Sequence, residues 1–206
     1  VSDERRLTTV DELRAILGTP SPTTPHKVLD SLDATSREFL ARSPFALLAT
    51  ADASGRPDIS PRGDVPGFVH VEDDRTLLVP ERKGNRLILS LQNIVANPQV
   101  GLLFVVPGTE ETLRIQGRAE LVAGEELGRR LTARGQPALL AIRVHVERCL
   151  VHCARSFKRA GVWRPETWTE PVPVSFGRII AERLGRGADL VGEIDARVER
   201  GYREDL

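Results

Sequence analysis

The stretch from Thr76 to Val106, TLLVPERKGNRLILSLQNIVANPQVGLLFVV, limits the folds open to this chain. Two apolar runs, each too short to span a bilayer, flank a basic turn and a short amphipathic segment. That is strand, turn, helix and strand in quick succession. From Pro44 onward the same punctuation continues. Strands are expected at Phe45 to Thr50, Asp58 to Arg62, Gly67 to Val71, Thr76 to Val79, Gly101 to Val106, Thr112 to Val122 and Ala138 to Val151. Turn-forming clusters such as Asp52 to Pro57 and Glu72 to Arg75 separate them. Pro61 within the second run places it at an edge, at a bulge or near a strand end. Short strands with only brief helices between them give a mainly β fold with flanking helices, an antiparallel barrel of six to seven strands and not a doubly wound sheet.

The helices read from caps and periodicity. Thr9 to Glu12 forms a capping box opening a helix through Leu17, and Thr35 to Glu38 reads as a second box. Asn85 to Val95 carries Leu87, Ile88, Leu91, Ile94 and Val95 at helical spacing, so the helix is expected to start beside the basic turn. Glu125 to Ala133 and Asp189 to Tyr202 are the remaining amphipathic segments. The expected organisation is an N-terminal helical arm over 1–35, a barrel over 36–153 and a C-terminal extension over 154–206.

Lys plus Arg and Asp plus Glu stand at 29 each, so net charge points to neither nucleic acid nor a membrane surface. The opening VSDERRLTTV lacks the apolar run of a secretory signal, and the expectation is a soluble, cytoplasmic protein. Cys149, His152 and Cys153 are poor zinc spacing at the end of an apolar strand, so both thiols are expected to be buried structural groups and no metal is expected. There is no G-x-S-x-G, H-E-x-x-H or P-loop motif.

The chemistry-bearing feature is the turn itself. Arg82, Lys83 and Arg86 sit with Gly84 and Asn85 between a strand and a helix, where charge-assisted donors and free amides suit a phosphate monoester. The alternative reading of these residues is a solvated basic turn.

The segments PFALLATADASGRPDISPRGD and TLLVPERKGNRLILSLQNIVANPQVGLLFVVPGTEETLRIQGRAEL resemble the pyridoxamine 5'-phosphate oxidase-like FMN-binding split-barrel superfamily. HCARSFKRAGVWRPETW resembles the C-terminal part of one uncharacterised FMN-dependent branch. The most specific piece runs from Arg82 through the N-P-x-V-x-L-x-F of Asn97 to Phe104.

The resemblance implies a homodimer of split barrels with FMN in clefts between subunits. It implies Arg86, Lys83 and Arg82 at the FMN phosphate, Val79 and Pro80 bordering the flavin, and the strand Asp58 to Gly63 beneath the ring. The residues themselves add Ser60, Arg62, Thr112 and Arg114 as strand groups that could meet the polar edge of such a ring. Thr112 falls at the family's glutamine position, and Lys158 and Trp163 belong to the C-terminal region that approaches the flavin of the other subunit. Two departures stand out. Asp58 and Gly63 occupy positions where the namesake enzyme has Arg and Lys, with Arg62 one residue from the second, and the C-terminal pattern that grips pyridoxamine phosphate is not recognisable. The function implied is an FMN-dependent oxidoreductase of unknown substrate. The competing readings are a non-catalytic flavin carrier, or a split barrel holding haem or the deazaflavin F420.

Overall fold

The structure, a computed structural model, describes residues 4–204. Seven strands form one antiparallel sheet: β1 (Phe45–Ala51), β2 (Pro57–Gly63), β3 (His70–Val71), β4 (Thr76–Glu81), β5 (Gln99–Val105), β6 (Thr112–Val122) and β7 (Leu140–His152), in the order β2-β1-β5-β6-β7-β4-β3. This is the antiparallel barrel expected from the strand pattern, in the split form that the family resemblance implies. β2 lies at one end of the order, so Pro61, which lacks an amide hydrogen, sits on an edge where none is required.

Register fixes which side chains line the interior. Directly paired residues share a face, and one row runs Arg62, Ala46, Phe104, Leu113 and Val151, while a second runs Ser60, Leu48, Leu102, Ile115 and Cys149. Ala46, Leu48, Phe104 and Leu113 are fully buried, so these rows face the core, and Arg62 and Ser60 sit at its open margin. Asp58, two residues before Ser60, shares that face, whereas Ile59 and Pro61 are exposed on the other.

The sheet must bend sharply to bring its ends together, and Gly117 permits part of this. At the β-bulge between Gln116 and Gly117, a Cβ on Gly117 would lie 1.9 Å from the His145 carbonyl oxygen. Only glycine allows β6 and β7 to approach so closely there.

The helices are α1 (Val10–Leu17), α2 (Ala34–Arg42), α3 (Leu89–Ala96), α4 (Glu125–Arg130), α5 (Arg155–Ala160), α6 (Phe176–Leu184) and α7 (Ala188–Glu204). The Thr9 capping box on α1 forms as read from sequence. The second box does not. Asp33 caps α2 instead, its carboxylate accepting from the Ser36 amide at 2.8 Å and the Ser36 hydroxyl at 2.6 Å. Ser36 is consequently inside the helix, where its hydroxyl also lies 3.2 Å from the Cys149 sulfur. α7 forms over the expected segment with Ile194 buried, and it packs against α6, where Gly177 meets Val191 too closely for any side chain.

The helix after the basic turn starts later than its periodicity suggests. α3 begins at Leu89, because Arg86 and Ile88 adopt positive φ of 62° and 49°, which breaks the helical path. Leu87 and Ile88 are exposed and belong to a loop over 82–88 that leads into α3. One of the two cysteines departs from the expectation: Cys149 is buried as expected, whereas Cys153, just beyond β7, is exposed. No helix among the described residues is long and apolar enough to cross a membrane.

Candidate functional site

The order of strands leaves β2 and β4 without a shared ladder, and β3 covers only Leu77 and Leu78 on the free side of β4. Side chains bridge the gap instead. Arg62 Nη1 donates to Glu81 Oε2 at 2.6 Å, and Arg82 Nε donates to Asp64 Oδ2 at 2.9 Å. The four side chains are 9–22% exposed, so both pairs are shielded from bulk water. Water exclusion strengthens their attraction, while the hydrogen bonds offset part of the desolvation cost.

Arg82 is saturated. Its remaining guanidinium nitrogens donate to the carbonyl oxygens of Gln136 at 3.1 Å and Leu131 at 2.8 Å, which ties β4 to the segment after α4. Of the three cations in the turn, Arg82 therefore works as a brace in this geometry. Arg86 is different: it is exposed and, among the described residues, makes no hydrogen bond or ion pair. Lys83 is exposed beside Gly84, where nothing crowds the position of a Cβ.

Arg62 is only partly satisfied. Its Nε is buried and has no partner among the described residues. A buried donor left unpaired costs about 1–3 kcal/mol, so this atom marks a position where an acceptor entering the gap would be favoured. Two residues away, Ser60 Oγ lies 2.8 Å from Ser90 Oγ, and Ser90 donates to Asp58 Oδ2 at 3.1 Å. This chain joins β2 to the first turn of α3, and Arg62, Ser60 and Asp58 share the inward face of the strand. Val79 and Pro80 are buried at the end of β4, with Val79 in the main apolar core.

Thr112, Lys158 and Trp163 form a second group. Trp163 donates its indole N–H to the Thr109 carbonyl at 2.8 Å, and Lys158 pairs with Glu110 at 2.7 Å. Both contacts land on the turn that leads into β6 at Thr112, which is buried. Phe157 packs against Trp163 with centroids 6.0 Å apart, tilted by 46°. The Glu110 carboxylate beside Lys158 raises its ammonium above the usual lysine value. Thr112 alternates with Leu113, an interior residue of the Arg62 row, so it faces away from the core that Arg62 borders. Arg114 is half-buried on the same face as Thr112.

Sequence reasoning found the cations and missed their counter-charges. Glu81 and Asp64 flank candidate residues directly in sequence, and the signal available was that each stands one or two positions from an arginine at a strand end. Ser90 carried no signal, because a serine in an amphipathic segment reads as its polar side.

With this geometry in place, the chain can be set beside known proteins. A sequence-family model described as pyridoxamine 5'-phosphate oxidase matches residues 32–153. The chain belongs to the pyridoxamine 5'-phosphate oxidase family. It is similar to pyridoxine/pyridoxamine 5'-phosphate oxidase of Pseudomonas paraeruginosa, with 30% identity over 189 residues covering 82% of this chain and 80% of that protein. Among solved structures, HupZ of Group A Streptococcus is 24% identical with a TM-score of 0.46, covering 57% of this chain and 92% of that one. A putative pyridoxamine 5'-phosphate oxidase of Lactobacillus delbrueckii is 21% identical with a TM-score of 0.46, covering 59% and 95%. The family match takes in β1 through β7 and includes both shielded ion pairs.

Proposed function

We propose that the protein is an FMN-dependent oxidoreductase of the pyridoxamine 5'-phosphate oxidase family, acting as a homodimer on a small-molecule substrate. The observation that carries this reading is the seam between β2 and β4, which no ladder closes, which adjoins the cationic loop over 82–88 and which holds the unpaired donor Arg62 Nε.

The residues present fit the cofactor. Arg86 and Lys83 supply charge-assisted donors for the phosphate, and Gly84 leaves the backbone amides accessible. Arg62 brings a fixed positive charge and a donor to the margin of the gap, suited to the ring edge where reduction deposits negative charge. Val79 and Pro80 provide an apolar border at the end of β4. When bound, FMN supplies hydride acceptance and release at ring N5, which requires no nucleophile from the protein.

The first group of residues and the Thr112, Lys158 and Trp163 group stand apart in one chain, facing different sides of the sheet. In the homodimer we propose, the second group of one subunit closes the flavin site of the other. Trp163, already anchored through its indole N–H, then walls the substrate side.

Purified protein with flavin absorbance and a copurifying ligand of FMN mass supports the reading, whereas a Soret band assigns haem and a deazaflavin spectrum assigns F420. Anaerobic reduction followed by exposure to oxygen and candidate acceptors tests turnover. Re-oxidation no faster than free flavin reduces the protein to a carrier, and light scattering at micromolar concentration tests the dimer.

A further inference from the structure

The hydrogen-bonded chain from Asp58 through Ser90 to Ser60 has only one consistent direction. An ionised carboxylate accepts and cannot donate. Ser90 therefore spends its single hydroxyl hydrogen on Asp58, across 3.1 Å. The Ser90 oxygen, 2.8 Å from Ser60, is then left as an acceptor, and the hydrogen between the two serines belongs to Ser60. With its own hydrogen committed to Ser90, Ser60 has only lone pairs to offer the gap. Ser90 is buried, so water has little access to reverse this order, and Ser60 keeps partial exposure on the face it shares with Arg62.

We infer that Ser60 is an acceptor-only contact for a ring N–H of the bound cofactor, and that Asp58 is a positioning residue that fixes this polarity through Ser90. The inference rests on the flavin reading above and deepens it. A lone serine hydroxyl is ambivalent and would accommodate either a donor or an acceptor edge. Locked as it is here, Ser60 favours a ligand edge bearing N–H, while Arg62 Nε, two residues along the same face, favours an acceptor. The pair thus reads donor and acceptor positions in a set order along β2. An isoalloxazine ring presents that mixture through its imide N–H and flanking carbonyls. The departure of Asp58 from the family's cation at this strand end gains a role: a positive side chain here would remove the acceptor that orients Ser90.

The test is titration of the apoprotein with FMN, followed by quenching of flavin fluorescence, in both oxidised and dithionite-reduced forms. Ser60→Ala is expected to raise Kd about fivefold in at least one redox state, the loss of roughly one hydrogen bond. Asp58→Ala should weaken binding by a smaller factor, and Ser60→Ala/Asp58→Ala should bind no more weakly than Ser60→Ala alone. Asp58→Asn should stay within about twofold of wild type, because its amide oxygen still accepts from Ser90. A loss in Asp58→Ala that persists undiminished in the Ser60→Ala background overturns the inference, as does an Asp58→Asn variant that binds as poorly as Asp58→Ala. Unchanged binding in Ser60→Ala also overturns it while leaving the flavin reading intact. Wild-type protein that does not quench FMN overturns the flavin reading and this inference together. Thermal melts of each variant separate lost binding from lost folding.

Discussion

Arg62 of β2 and Glu81 of β4 meet at 2.6 Å although four strands, β1, β5, β6 and β7, separate theirs in the hydrogen-bonded order. The barrel is closed at this point by charge and not by a ladder. Breaking one partner leaves the other charge shielded from water and unpaired. Arg62→Met and Glu81→Leu are each expected to destabilise the protein by about 2 kcal/mol, less than the roughly 3–5 kcal/mol of a fully buried pair. The double variant should recover most of that loss. Urea unfolding of the three variants measures the coupling, and simple additivity would sink the idea that these two charges act as a unit.

Two arginines four residues apart are expected to differ, Arg86 in cofactor binding and Arg82 in bracing the fold. Arg86 is exposed without a partner among the described residues, whereas Arg82 bonds to Asp64, Gln136 and Leu131. Arg86→Ala should leave the melting temperature unchanged and cost FMN affinity about 1.5–3 kcal/mol, the range for a charged hydrogen bond. Arg82→Ala should lower stability first. Parallel melts and FMN titrations distinguish them, and an Arg86→Ala variant with an unaltered titration removes that residue from the phosphate site.

Asp33 gives a pH signature. Hydrogen bonds from the Ser36 hydroxyl and then its amide hold the Asp33 carboxyl below its ordinary value. A depressed folded pKa stabilises the fold above the unfolded value and loses that contribution as pH falls through the folded one. Asp33→Ala is therefore expected to cost about 1 kcal/mol near neutrality, the usual worth of an N-cap. Its deficit relative to wild type should shrink below about pH 4. A deficit independent of pH would assign the cap's effect to something other than the carboxylate charge.

The thiols should label in sequence. Burial pushes the Cys149 thiol up, and its sulfur sits against Ser36 inside the barrel, while Cys153 is exposed. A maleimide reagent on native protein should modify Cys153 alone, with Cys149 reacting only after denaturation. Peptide mapping by mass spectrometry reads this directly, and early modification of Cys149 would contradict the packing.

Much of the barrel was legible because strand alternation and turn chemistry are local. Thr112 to Val122 was read with the bounds β6 has, and the Thr9 box needed only four residues. The misreadings share a cause in competition between nearby local options. Asp33 outbid Thr35 for α2 because its carboxylate reaches both the amide and the hydroxyl of Ser36. Leu87 and Ile88 had helical spacing, yet the chain turns through left-handed backbone at Arg86 and Ile88 before α3 begins. At the candidate site, the cations stood out as a cluster. Their partners did not, since whether Glu81 faces Arg62 depends on how far a sheet curls, which no short window of sequence encodes.

The missing ladder between β2 and β4 has a kinetic consequence. Elsewhere, parting two neighbouring strands means breaking a run of backbone hydrogen bonds and exposing core rows. At this seam it means separating Arg62 from Glu81 and Arg82 from Asp64. A molecule lodged there can exchange through a local breathing motion of the seam, so loading and release need not wait for the rare global unfolding event.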